Sequence, residues 1–315
     1  MRSRRNTSSP SPHRTRNALD GRHEHVFTVD LEEWFHGVDL APSDWPTESR
    51  LDIGLTPLLR LLDSRGVRAT FFVLGVVARR FPQLVTELFN AGHEIACHGH
   101  THQLIYRQTP RQFREDIRRA KHAIADAIGQ LPTGYRAPFF SVRKDTLWAL
   151  EILAEEGFSW DCSVFPVIND RYGIPRAPTT PFNVSVGSGA CSIFEVPMTT
   201  VSILGTNFPF SGGAYLRILP SAVQRLAWRR ATHLGQHVVL YIHPWELDPS
   251  HPRIPMSTRL STTHYARLDV TERRLAAVLE RYPFGTVTDV FLSSRPLSGV
   301  AATEFNSRPS QRLYR

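Results

Sequence analysis

Cysteine is sparse in this chain, and its three copies, Cys97, Cys162 and Cys191, show no Cys-x-x-Cys spacing. An odd count without that spacing argues against a disulfide framework and for a reducing compartment. Long apolar runs are also missing. No window approaches the roughly 18 uninterrupted apolar residues that a membrane-spanning helix needs. Residues 1–21 contain arginines but no apolar core of the kind a secretory signal requires. The expectation from these absences is a soluble, cytoplasmic protein. Internal repeats are lacking as well.

What the chain does have is length and apolar content. Its 315 residues are 41% hydrophobic, enough to bury a sizeable core without disulfides or a structural metal. That length suits a single α/β barrel. The formal charge is +8, and half of the excess sits in residues 1–24. There Arg2, Arg4, Arg5, Arg14, Arg16 and Arg22 outnumber Asp20 and Glu24. This Ser-, Pro- and Arg-rich segment reads as a disordered basic tail. A solvated extension is a simpler account of it than contact with nucleic acid, anionic lipid or an acidic polymer, and no nucleic-acid partner is expected.

From His25 onward, short apolar runs alternate with helical periodicity. His25 to Asp30, Ala69 to Leu74, Glu94 to Ala96, Tyr135-Arg136, Trp160-Asp161 and Val238 to Ile242 read as strands. Helices are expected over Ile53 to Ser64, Phe81 to Ala91, Pro110 to Gly129, Lys144 to Glu156, Ser221 to Leu234 and Thr271 to Tyr282. Thr109 is placed to cap the third of these, with Pro110 in its first turn. Repeated β–α alternation with near-continuous apolar strands predicts an α/β fold: a parallel sheet covered by helices, closed into a barrel with its chemistry at the carboxyl ends of the strands. Residues 163–219 break the rhythm and read as an irregular, β-rich elaboration that shapes a groove. The expected organisation is therefore a tail (1–24), one domain (25–295) and a flexible C-terminal tail (296–315).

Polar residues collect where those strands end. Along the first strand, period two puts Asp30 and Glu32 on one face and Glu33 on the other. Two carboxylates on one face can divide labour between binding a cation and accepting a proton, although a solvated acidic loop would look similar. His98 and His102, four apart, would share one face of a helical turn and could grip one metal, with His100 pointing elsewhere. Two imidazoles and a carboxylate form the set expected of Zn²⁺ or another first-row divalent ion. Cys97 reads as a small buried hydrophobe rather than a ligand. Arg136 could hold a carboxylate through paired hydrogen bonds, and Pro138 would stiffen the loop after it. His243 ends a strongly apolar strand, where an imidazole is costly without a partner or a task. Trp34, Phe35, Phe139, Phe140 and Trp245 could stack on sugar faces or pack the rim.

Taken in order, these clusters resemble the five motifs of the polysaccharide deacetylases with a NodB-homology domain (carbohydrate esterase family 4). Asp30-Leu31-Glu32-Glu33 stands at the Asp-Asp motif, His98-Gly99-His100-Thr101-His102 at His-x-x-x-His, and Arg136-Ala137-Pro138-Phe139 at Arg-x-Pro-aromatic. Asp161 and Leu240-Tyr241-Ile242-His243 stand at the last two. The stretches ATFFVLG, GHEIACHGHTHQLIY, GYRAPFFSV, RYGIPRAP and YIHPWELDP are similar to the branch associated with exosortase (PEP-CTERM) exopolysaccharide loci.

The resemblance implies a distorted (β/α) barrel and removal of N-acetyl groups from N-acetylhexosamine units of a polysaccharide or oligosaccharide. It implies Asp30 as general base paired with Arg136. The metal ligands would be Glu32, His98 and His102, holding Zn²⁺ or alternatively Co²⁺ or Ni²⁺. The Phe139 N–H would meet the oxyanion, and His243, oriented by Asp161, would act as general acid. One departure is plain: Leu31 replaces the second Asp, so the metal carboxylate must be Glu32 or Glu33, and the strand pleat favours Glu32. Two other readings share these residues: hydrolysis of a small amide or ureide on the same fold, and carbohydrate binding without turnover.

Overall fold

The computed structural model of the chain describes residues 25–38, 40–186, 191–293 and 302–303. The expected basic tail (1–24) lies outside the described residues, as does nearly all of 296–315. Within the latter, Ala302–Thr303 pairs in parallel with Asn183–Val184.

The strands are β1 (His25–Leu31), β2 (Thr70–Val73), β3 (Glu94–Cys97), β4 (Gly134–Tyr135) and β5 (Trp160–Asp161), followed by β6 (Phe182–Val186) and β7 (Cys191–Glu195). Then come the hairpin β8 (Thr200–Ile203) and β9 (Thr206–Pro209), β10 (Val239–Ile242), β11 (Phe284–Gly285) and β12 (Ala302–Thr303). From β1 to β5 each strand lies parallel beside its predecessor. β7 follows in parallel beside β5, and β6 runs antiparallel to β7. On the other side of β1, β10 pairs in parallel. This is the mostly parallel α/β sheet expected from the alternation.

Side-chain parity shows that the sheet curls into a distorted barrel. In β1, Phe27, Val29 and Leu31 join the core under the helices. Val26 points the other way, into a second cluster with Phe72 of β2, Ala96 of β3, Trp160 of β5, Phe194 of β7 and Val239 of β10. Residues from strands far apart in sheet order meet in one cluster only if the sheet wraps around it. Beyond β7 the chain passes beside β10, where the Val239 N–H donates to Thr199 Oγ1 at 2.8 Å. Gly212 then makes a parallel bridge to Tyr241. Side-chain and single-bridge contacts thus join the two sides where a regular ladder is missing.

The helices are α1 (Leu51–Ser64), α2 (Gly75–Arg80), α3 (Pro82–Asn90), α4 (Pro110–Ile128), α5 (Trp148–Glu155), α6 (Gly213–Ile218), α7 (Ser221–His233), α8 (Thr258–Tyr265) and α9 (Thr271–Arg281). The helix expected over Phe81 to Ala91 is α3, opened by Pro82, and the short α2 before it occupies residues 75–80, where no helix was expected. Thr109 and Gln112 form a reciprocal capping box on α4, and Gly129 ends it in the left-handed conformation at φ 76°. Helices α6 and α8 and strands β6 and β9 occupy stretches read as irregular or left unassigned. They are short, and their Gly, Pro, Ser and Thr content hides any period. Among the described residues, no helix is long and apolar enough to cross a membrane.

Candidate metal centre and active site

The carboxyl ends of β1, β3, β4 and β10 deliver their polar side chains to one cleft of about 400 Å³. Parity carries Asp30 and Glu32 inward together. Glu32 Oε2 lies 2.7 Å from His102 Nε2 and 3.9 Å from His98 Nε2. One ligand atom from each of these three residues lies within 4.8 Å of the others, close enough for a shared ion. Glu33 faces away, accepting from Ser49 Oγ and, at 3.1 Å, from the Arg50 N–H.

The donor set fits a divalent cation. Glu32 Oε1 accepts from Trp245 Nε1–H at 3.1 Å. Its buried Oε2 has no aligned hydrogen-bond donor although an imidazole nitrogen is adjacent. An orphaned carboxylate oxygen between two imidazoles is what an ion would satisfy. His98 Nδ1 lies 2.8 Å from the Arg136 carbonyl, which can only accept, so the neutral ring carries its proton there and directs a lone pair from Nε2 at the carboxylates. Burial, outweighing the nearby Asp30 and Glu32 charges, lowers the His98 pKa to about 4 and keeps that lone pair available at neutral pH. Burial alone would raise the Glu32 carboxyl, but His102, His243 and His98 together hold it well below the usual range.

The segment carrying the two histidines is a loop, which corrects the expected helical turn. Gly99 (φ 77°) and His102 (φ 55°) both adopt left-handed backbone, and the chain doubles back so that the two rings converge with centroids 5.2 Å apart. The loop is tied down on both sides. Asp116 of α4 accepts from the His100 N–H at 2.7 Å and the Thr101 N–H at 3.3 Å. The first N–H groups of α2, on Gly75 and Val76, donate to the carbonyls of Gly99 and His100. His100 therefore points away from the cleft, and Cys97 packs in the core under the helices.

Asp30 is anchored by Arg136. The buried guanidinium donates to Asp30 Oδ1 at 2.7 Å and to Thr28 Oγ1 at 2.9 Å. Its Cζ lies 4.0 Å from the centre of the Phe72 ring, over the ring face. Asp30 Oδ2 remains directed at the cleft, 4.0 Å from His98 Nε2 and 3.7 Å from His243 Nε2. Phe139, at φ 54°, sits at the mouth with its ring 4.6 Å from that of His102.

His243 has a different partner from the one expected. Its Nδ1 lies 2.7 Å from Glu246 Oε1, and Glu246 Oε2 accepts from Arg217 Nε at 2.7 Å, both residues being fully buried. Burial would lower the His243 pKa. The hydrogen bond to Glu246 and the charges of Glu32, Glu246 and Asp30 outweigh it and raise the value to about 9. Asp161, expected to orient His243, is engaged elsewhere. It accepts from Ser163 Oγ at 2.6 Å and from the Ser163 N–H at 3.2 Å, while Ser163 Oγ accepts from the Ala137 N–H at 2.8 Å. It lies against Glu195, and burial pushes both carboxyls up. Asp161 thus braces the loop that carries Arg136 and Phe139.

The polysaccharide deacetylase family model matches residues 53–156, and a domain of unknown function (DUF3473) matches residues 162–292. The chain is 30% identical over 136 residues to the peptidoglycan deacetylase of Helicobacter pylori, an alignment covering 43% of this chain and 42% of that protein. Among solved structures, a Mycobacterium smegmatis protein assigned as a polysaccharide deacetylase superposes with a TM-score of 0.56 at 25% identity, covering 84% of this chain and 86% of that one. Over residues 53–156 the chain is similar to the polysaccharide deacetylase family. It also resembles the peptidoglycan-N-acetylglucosamine deacetylase of Bacillus cereus, at 31% identity over 102 residues, covering 32% of this chain and 37% of that one. The chain spans less than half the length of the curated relatives it matches.

Glu246 and Arg217 are the cleft residues to which motif reading gave no role, and Trp245, read as a stacking or rim aromatic, also donates its Nε1–H to Glu32. Glu246 and Trp245 sit in the short turn after His243, where i,i+3 spacing could have suggested the His243–Glu246 pair. Arg217 lies in α6, inside the segment read as irregular. Only its complete burial with a carboxylate reveals its place.

Proposed function

We propose that this chain is a metal-dependent hydrolase that removes N-acetyl groups from N-acetylhexosamine units of a polysaccharide or oligosaccharide, and that it serves bacterial exopolysaccharide synthesis. The observation that carries the reading is the orphaned Glu32 Oε2 facing His98 and His102, with Asp30 and His243 on either side of the same cleft.

Glu32, His98 and His102 would hold the cation, with Zn²⁺ best suited to two imidazoles and one carboxylate and Co²⁺ or Ni²⁺ as alternatives. Once bound, it would supply Lewis acidity toward the amide carbonyl and acidify a water. Asp30 would accept the proton of the attacking water at Oδ2, the oxygen left over from its bond to Arg136. The Phe139 N–H would donate to the oxyanion as it develops. His243, kept protonated by Glu246, would give its Nε2 proton to the departing sugar amine. The products would be acetate and a free amine that is protonated at neutral pH.

Acetate release from N-acetylglucosamine oligomers tests this directly. Activity should vanish with a chelator and return on adding Zn²⁺, Co²⁺ or Ni²⁺. A metal-loaded protein that releases no acetate from a broad panel of N-acetylated oligosaccharides would overturn the proposal.

A further inference from the structure

Outside the cleft, the β8–β9 hairpin carries a leucine where neither its fold nor water favours one. Ile203 pairs with Thr206, so Leu204 and Gly205 form a two-residue connection. Their φ values are 51° and 78°, both in the left-handed region. Such turns favour Asn-Gly, because a leucine side chain crowds its own carbonyl at positive φ. Leu204 is moreover fully exposed, at 101% of its reference area. Strain and exposure on one large apolar residue indicate a role that the isolated molecule does not display.

The surroundings say what kind of role. Ile203, 53% exposed, continues the apolar surface below the tip. Val223 and Leu226 of α7, 47% and 68% exposed, lie beside it and line the same shallow concavity. Arg229, Arg230 and His233 border that concavity. Neither Thr200–Pro209 nor Ser221–His233 contains an Asp or Glu. The surface is therefore an apolar tip with a cationic rim and no anionic side chain in either element. A nucleic acid would satisfy the arginines but give Leu204 nothing apolar to enter. A bilayer of anionic phospholipid does both, taking the apolar side chains at the acyl boundary and the guanidinium groups among the phosphates.

We propose that the β8–β9 tip and the exposed face of α7 dock this protein peripherally on anionic phospholipid membranes. The test is flotation of the full-length chain with vesicles of phosphatidylcholine plus phosphatidylglycerol, and with phosphatidylcholine alone. The parent should float with the anionic vesicles and much less with the neutral ones. Leu204→Asn suits the turn, so it should keep or raise Tm, yet it should weaken partitioning about tenfold or more by removing the inserted side chain. Arg229→Gln combined with Arg230→Gln should weaken binding and flatten its salt dependence.

No parent binding to anionic vesicles would overturn the proposal. So would Leu204→Asn binding as tightly as the parent, since the attachment would then run through another surface. Concentration-dependent dimerisation in sedimentation velocity, abolished by Leu204→Asn while vesicle binding persists, would instead give the patch to a second copy of the chain.

Discussion

His243 and Glu246 lie one short helical turn apart, with Nδ1 and Oε1 2.7 Å from each other, and the turn that joins them starts where β10 ends. The imidazole is therefore oriented from its own segment. Arg217 closes the arrangement by holding the far oxygen of Glu246 and donating to the Thr263 carbonyl at 2.8 Å and to the Ala266 carbonyl. The proposed acid is thus kept in place by α6 and by the end of α8.

This predicts a shift in pH dependence for Glu246→Gln. A group with its pKa raised to about 9 is protonated below that value, so activity that needs the imidazolium should fall as pH rises through it. Glutamine keeps an acceptor for Nδ1 but removes the charge. The alkaline limb of the kcat profile should then move to lower pH, toward the ordinary histidine value. Leaving Arg217 buried without its counter-charge should also cost about 3–5 kcal/mol of stability, visible as a lower Tm. An alkaline limb that stays in place would remove Glu246 from this role.

Asp30→Asn separates turnover from binding. Asparagine still offers Arg136 an acceptor, so the fold should hold, but it cannot take a proton. Acetate release should drop about 10²–10⁴-fold, while oligosaccharide affinity measured by calorimetry changes only a few-fold. Turnover within tenfold of the parent would assign proton acceptance to another group.

Metal binding should register in stability as well as in rate. An ion that binds only the folded chain adds about 2.7 kcal/mol at a hundredfold excess over its Kd. Titrating Zn²⁺ into chelator-treated protein should therefore raise Tm, and His98→Ala or Glu32→Gln should abolish most of that rise. An equal rise in those variants would place the ion elsewhere.

Gly134 tests the packing beneath the site. A Cβ built there would stand 1.9 Å from Trp160 Cζ2, inside a fully buried indole. Gly134→Ala should destabilise by about 1–3 kcal/mol or more, because neither strand can yield without disturbing the barrel interior. Denaturant unfolding would measure it, and an unchanged midpoint would mean that the indole has room to move.

Much of the frame can be read from residue patterns because it depends on short-range rules. Period two in β1 brings Asp30 and Glu32 to one side, and Thr109 with Gln112 and Gly129 brackets α4. Spacing alone misled at His98 and His102. Four residues suggest a helical turn, whereas the rings meet through two left-handed residues in a loop braced by Asp116. The partner of His243 was misread for a related reason. A carboxylate at a strand end, such as Asp161, looks available in sequence, and only burial beside Ser163 and Glu195 shows it to be engaged. Arg217 gave no signal, since its meaning depends on contacts with residues 29 to 49 positions away.

The two matched regions meet inside one cleft. His98, His102 and Arg136 belong to residues 53–156, and Arg217, His243 and Glu246 to residues 162–292, while Asp30 and Glu32 precede both. Dividing the chain at the boundaries of either region would strand the imidazoles from their carboxylates. Under the proposed function, selection would act on the three stretches jointly, and a swap of one of them from a distant homologue should succeed only when the incoming side chains still point at the same spot.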